Sequence, residues 1–316
     1  MAGSLTGASQ QALAIALALG GALCYAIAAV TQQRCAARLA TTAAFDGRLL
    51  LRLARNRSWQ LSMVALIAGY GFHAAALSLG RLVVVEPVIP LGLLMALLLS
   101  ARTEGRWLCW TEWTAAIATV AGLAVFLVAA EPSGGVQTAP ATSLGVAAAG
   151  AVLAAIVCGL ITCKVSAPHR ALPLSVGGGI AAGVTDSLTK TVAPLTGVQQ
   201  FALLGDVRLY LLALAGLLAL TLQQNAYRAA GLAASLPAFV VLEPLVGSLL
   251  GLTIYHERVS AGGVRIAVEV LAVGAAVWGI ARLASSVIAE FGRLAELGAP
   301  SPSPAPSSEL ARSGGG

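Results

Sequence analysis

Two acid–proline steps stand inside long apolar runs of this chain. One is Glu86-Pro87, within Val83-Val84-Val85-Glu86-Pro87-Val88-Ile89-Pro90; the other is Glu243-Pro244, within Val240-Val241-Leu242-Glu243-Pro244-Leu245-Val246-Gly247. A carboxylate in such a run is costly in lipid and marks a functional site by default. The proline after it lacks a backbone donor and would free the carbonyl four residues back, that of Val83 or Val240. Carboxylate oxygens beside loosened carbonyls can hold a cation or a proton. The competing reading is an acid hydrogen-bonded to a neighbouring helix in a packing role. Matching places in two halves of the chain favour function for the pair.

Other polar side chains in apolar runs extend the set. Asp186 and Lys190 are four residues apart, hence on one helical face. They read either as a mobile ion pair that a substrate breaks or as a structural pair. His73 could relay protons or simply pack. Gln223, Gln224 and Asn225 could line a polar entrance, but hydrogen bonding across helices is the commoner role and is favoured. Glu269 with Arg265 reads as a structural pair, and Glu257 with Arg258 as solvated at a helix end. The candidate pathway residues are therefore Glu86, Glu243, Asp186, Lys190, Pro87, Pro244, His73 and Gln223, with no metal assigned.

The elements that position these residues follow from composition. The 316 residues are 58% hydrophobic and 10% charged, with mean hydropathy +0.86, whereas a soluble domain carries about 25% charged residues. Apolar runs of about 20 residues recur, each long enough to cross a bilayer core of about 30 Å as a helix. No run alternates as a barrel strand does. The expected fold is an all-α membrane protein, a polytopic bundle of nine transmembrane helices at 11–31, 59–80, 82–100, 111–130, 143–164, 171–193, 207–228, 233–255 and 261–283. The segment 38–58 holds Arg38, Arg48, Arg52, Arg55 and Arg57, too many charges to cross lipid, and suits a short helix at the membrane surface. Trp59, Trp107, Trp110 and Trp113 read as interface anchors.

Charge sets the orientation. Arg34, Arg102, Arg106, Lys164, Arg170, Arg228 and Arg282 join the 38–58 arginines on one side, while the other side holds few bases, Arg81, Arg208 and Arg258. That bias predicts an outside N-terminus and a cytoplasmic C-terminus in the cell membrane. The net charge of +6 thus follows helix ends and does not point to nucleic acid. Cys24, Cys158 and Cys163 lie in apolar runs and Cys35 and Cys109 in expected loops, without zinc spacing, and read as small fillers. No phosphate-binding glycine loop, zinc-helix motif or serine elbow occurs, so neither an enzyme nor a cofactor is expected.

The acid–proline steps belong to a longer internal repeat. At their offset of 157 (243 − 86), Tyr70 meets Tyr227, Ala76 meets Ala233, Ser78 meets Ser235 and Leu79 meets Leu236. Gly21 meets Gly179 at 158, which pairs Asp186 with Ala28 and Lys190 with Gln32. Spans one to four match spans six to nine, and span five is left over. A shift of five spans inverts the second copy, giving a 4+1+4 plan around a central cavity. The expected layout is a first four-helix repeat over 1–130, an outer loop and linker helix over 131–165, and an inverted repeat over 166–283. A cytoplasmic helix extension and a Pro/Ser-rich disordered tail follow over 284–316.

The segment Ala74–Arg102, with Ala-Leu-Ser-Leu-Gly-Arg-Leu-Val-Val-Val-Glu-Pro, resembles the drug/metabolite transporter superfamily and its EamA-like members. So does Ala233–Val259, where Leu-Glu-Pro-Leu-Val-Gly precedes Tyr-His-Glu-Arg-Val, and Gly178–Lys190 is similar to the first helix of that superfamily's repeat. Nine spans with an outside N-terminus look like the branch that includes the NIPA-type magnesium transporters. Glu86 departs from both branches, which require no acid there. The resemblance implies secondary transport of a small metabolite or drug-like solute by alternating access, and the two acids themselves add the expectation of proton or cation coupling through Glu86 and Glu243. A magnesium or other divalent-cation transporter and a non-transporting scaffold or lipid-handling protein are the alternatives. Expected partners are the solute or cation and membrane lipid, with a homodimer allowed.

Overall fold

A computed structural model describes residues 7–39, 43–80, 82–130, 136, 138–166, 169–192, 204–257 and 263–298. Arg81, Arg258, most of the linker 131–137 and the Pro/Ser-rich tail from 299 onward lie outside the described residues.

The apolar runs fold as helices because a helix satisfies its backbone within one segment, which lipid demands. In order they are α1 (Gly7–Ala37), α2 (Leu49–Leu53), α3 (Arg57–Leu79), α4 (Leu82–Val85), α5 (Leu91–Thr103), α6 (Trp110–Ala129), α7 (Ala141–Lys164), α8 (Ala171–Val192), α9 (Val207–Ala229), α10 (Leu232–Ser235), α11 (Pro237–Thr253) and α12 (Gly263–Gly298). Asn56 caps α3 by accepting from the Ser58 and Trp59 amides, and Asp206 caps α9. The expected extension of the last span holds as one continuous α12. α1 also runs further than expected, so Cys35 lies inside it, buried, and not in a loop.

Eight helical stretches among the described residues are long and apolar enough to cross a membrane. The chain is an integral membrane protein of the all-α class. Nine spans were expected; α8 is the one that falls short in hydropathy. The reason is its place: 14 of its 22 residues are buried, against four of 23 in α3. A helix enclosed by others need not be apolar enough for lipid, and α8 carries Asp186, Lys190 and three consecutive glycines.

The two acid–proline steps fold differently. The first breaks its helix, and Glu86–Val88 forms a 3-10 turn between α4 and α5. The second stays within α11, which runs through Pro244. Two prolines explain the break: Pro87 and Pro90 each remove a donor, whereas Gly247 stands where a second proline would fall.

Packing is pairwise. α1 lies against α3 and α5, α8 against α7, α9 and α11, and α6 along α12, while α1 also meets α9. In lipid such contacts depend on close approach through small residues. A side-chain carbon at Gly183 would lie 2.5 Å from the Glu243 carbonyl oxygen, and one at Gly122 equally close to that of Ala272. Glycine at these points lets α8 touch α11, and α6 touch α12.

One end of the bundle is a single apolar cluster that includes Ala36, Trp59, Ala101, Leu108, Ala171 and Ala230. These residues flank helix termini, so the neighbouring bases share that end. α2 joins it through buried Leu49 and Leu53, with Arg48, Arg52 and Arg55 exposed. Arg106 pairs with Glu104 at 2.8 Å and with Glu112 at 3.0 Å, and Glu112 also caps α6. Burial opposes the Arg106 charge, but the two carboxylates outweigh it and hold its pKa above the usual value.

Trp107 and Trp110 are exposed, as an interface role requires, but Trp59 is buried. Its indole Nε1 donates to Gln224 Oε1 at 3.2 Å, and Gln224 Nε2 donates to Gln32 Oε1 at 2.8 Å. The expected anchor is therefore a buried tie from α3 through α9 to α1.

Candidate functional site

A cavity of about 620 Å³ lies at the centre of the bundle, walled by helices of both halves. Six of the eight candidate residues line it: Glu86, Glu243, Asp186, His73, Gln223 and Pro244. Pro87 and Lys190 do not.

Half of the lining residues fall in pairs with one spacing. From α1 and α8 come Tyr25 with Ala182, Ala28 with Thr185, and Ala29 with Asp186; from α3 and α9 come Met63 with Leu220, Leu66 with Gln223, and Tyr70 with Tyr227. Glu86 and Glu243 complete the series, and every pair is 157 residues apart. Ala28, the partner expected for Asp186 at the offset of 158, lines the cavity as well.

The acids differ in their surroundings. Glu86 is half-buried, and His73 Nε2 stands 3.3 Å from its Oε1. The 3-10 turn presents Glu86 to α3, where His73 waits one helix away; sequence separation concealed the pairing. Asp186 is exposed although it sits mid-bundle, because it lines the cavity. Glu243 is half-buried on α11, against Gly183 of α8. Among the described residues, no base comes within ion-pair distance of Asp186 or Glu243. Among the described residues, no lysine or arginine lines the cavity.

The expected Asp186–Lys190 pair is not formed. Lys190 bonds Glu257 and lies 4.6 Å from the centre of the Tyr255 ring. Tyr255 in turn meets Thr191 Oγ1 at 2.6 Å and donates to the Ser187 carbonyl. A tertiary contact thus displaces the local i,i+4 partner, and Glu257, expected to be solvated, is mostly buried. Arg265 and Glu269 form no ion pair among the described residues, and Glu269 Oε1 is buried without a hydrogen-bond partner.

The amide triplet divides between roles. Gln224 bonds across helices, and Asn225 ties α9 to the segment before α2, its Oδ1 accepting from the Asp46 backbone amide at 2.8 Å. Gln223 faces the cavity. Three tyrosines were not in the expected set, although the Tyr70–Tyr227 match in the repeat was a signal for two of them. Tyr25 and Tyr70 meet edge to face at 5.4 Å between ring centres, and both line the cavity with Tyr227.

The chain is 29% identical over 253 residues to an uncharacterised protein of Corynebacterium glutamicum, an alignment covering 78% of this chain and 86% of that one. No family model matches the chain, and no solved structure matches it.

Proposed function

We propose that this chain is a secondary transporter that moves a small solute across the cell membrane by alternating access, in the manner of the drug/metabolite transporter superfamily. The observation that carries the reading is the cavity wall, in which positions 157 apart face one shared space and each half supplies a glutamate. A nine-span inverted repeat accounts for this wall, with α8 as the sixth span and α7 as the linker. Inverted halves around a mid-membrane site are the plan on which such proteins expose one site to each side in turn. The bases gathered at one end fit an outside N-terminus and a cytoplasmic C-terminus.

Glu86 and Glu243 are the proposed coupling acids, taking up or releasing a proton or cation as access changes. The divalent-cation alternative has less support. Among the described residues, no three His, Cys, Asp or Glu side chains stand close enough to hold a metal ion, and magnesium requires a tight octahedral shell. A scaffold role does not call for an acidic central cavity.

The test is reconstitution in liposomes, with candidate solutes offered with and without a proton gradient. Gradient-driven uptake is expected, lowered about tenfold or more by Glu86→Gln or Glu243→Gln, equivalent to about 1.4 kcal/mol of lost interaction. Uptake indifferent to the gradient and to both substitutions would sink the coupling, and absence of uptake for any solute would sink transport.

A further inference from the structure

We infer that the central cavity is a binding site for an organic ammonium ion that carries at least one N–H. Asp186 and Glu243 supply the counter-charge, and Gln223 Oε1 accepts the N–H. The inference rests on the transport reading and names the class of its cargo.

Three observations converge on this ligand. The first is charge. Three carboxyl groups line the cavity, one of them beside His73, and among the described residues the wall holds no lysine or arginine. Two carboxyl groups without a basic partner take either a proton or a cation as counter-charge, and a cation is the one a ligand supplies.

The second is Gln223. It is 5% exposed, and its Oε1 is buried without a hydrogen-bond partner. Its Nε2 is directed at the Ser235 carbonyl, 3.5 Å away, while the oxygen lacks a donor and the side chain belongs to the cavity wall. A buried acceptor is normally satisfied, and an ammonium N–H is the donor that fits among acids.

The third is shape and lining. A space of about 620 Å³ is that of a drug-sized ligand, not of a bare ion. Tyr25, Tyr70 and Tyr227 line the cavity, and aromatic rings attract a cation. Leu66, Leu123 and Phe239 suit an apolar body attached to the charged head.

The experiment measures equilibrium binding to purified full-length protein, then counterflow in proteoliposomes. The probes are phenethylammonium, N,N,N-trimethylphenethylammonium, 2-phenylethanol, phenylacetate and Mg²⁺. Phenethylammonium should bind, the alcohol about tenfold more weakly, and phenylacetate not at all. The trimethyl analogue should also bind about tenfold more weakly, since it has no N–H to give. Gln223→Leu should erase the preference for the N–H form, and Asp186→Asn with Glu243→Gln should erase the preference for charge. The wild-type comparisons need no variant, so a misfolded mutant does not protect the idea. Equal binding of ammonium, alcohol and carboxylate overturns it, as does equal binding of the two ammonium ions, or Mg²⁺ binding that excludes phenethylammonium. Binding without counterflow upholds the site and overturns transport. Counterflow of neutral or anionic solutes without ammonium binding overturns the cargo and leaves transport standing.

Discussion

Glu86 illustrates how one side chain acquires a role from its neighbours. It sits on a 3-10 turn, and the His73 imidazole 3.3 Å away is the contact that orients its carboxylate. Glu243 has the same local sequence yet lies within a continuous helix, with Ala230 where the repeat would put a histidine. The two acids are therefore not equivalent despite their symmetry. If His73 acts by positioning Glu86, His73→Ala should lower the initial rate of uptake several-fold, whereas His73→Gln, which keeps a donor, should recover most of it. Equal loss in both variants would point instead to a proton-carrying role for the imidazole. Both acids were legible from sequence because an acid in an apolar run stands out. The histidine's partner was not, because only the chain break at Glu86 brings the two together.

Among the elements, the tie from α3 through α9 to α1 is the contact on which packing at the basic end depends. Trp59 supplies the donor that satisfies Gln224 Oε1, and Gln224 is fully buried. Trp59→Phe keeps the ring volume near its place but strands that oxygen, at a cost of about 1–3 kcal/mol. A lower thermal midpoint in detergent is expected, with ammonium binding unchanged, because Trp59 does not line the cavity. An unaltered midpoint would show that the oxygen finds another donor. Helix positions were readable from apolar runs, and most ends fell within a few residues. The exception is α8, which falls short of the hydropathy of a span because other helices, more than lipid, surround it.

For the molecule as a whole, the inverted plan makes a claim about sidedness. Cys109 caps α6 at the basic end and is exposed, while Cys35 and Cys158 are buried. With the other cysteines replaced, a membrane-impermeant maleimide should leave Cys109 unlabelled in intact cells and label it once the membrane is opened. Labelling in intact cells would reverse the proposed orientation and place the basic end outside. The same clustering of bases that predicts the topology is what the tertiary structure gathers around one set of helix termini.

Sequence by itself determined the class of this protein, the helical runs and the conspicuous place of the two glutamates. Those features are local: lipid forces each segment to satisfy its own backbone, and an acid in such a segment is conspicuous by cost. Tertiary structure alone decided which polar groups share the cavity and which satisfy one another. Lys190 left the acid four residues away for Glu257, 67 residues on, and Trp59 turned inward to a buried glutamine. Gln223 and the tyrosines came to face the acids. A polar group in a bundle takes the partner that packing brings to it, and that choice depends on positions in space that no local pattern encodes.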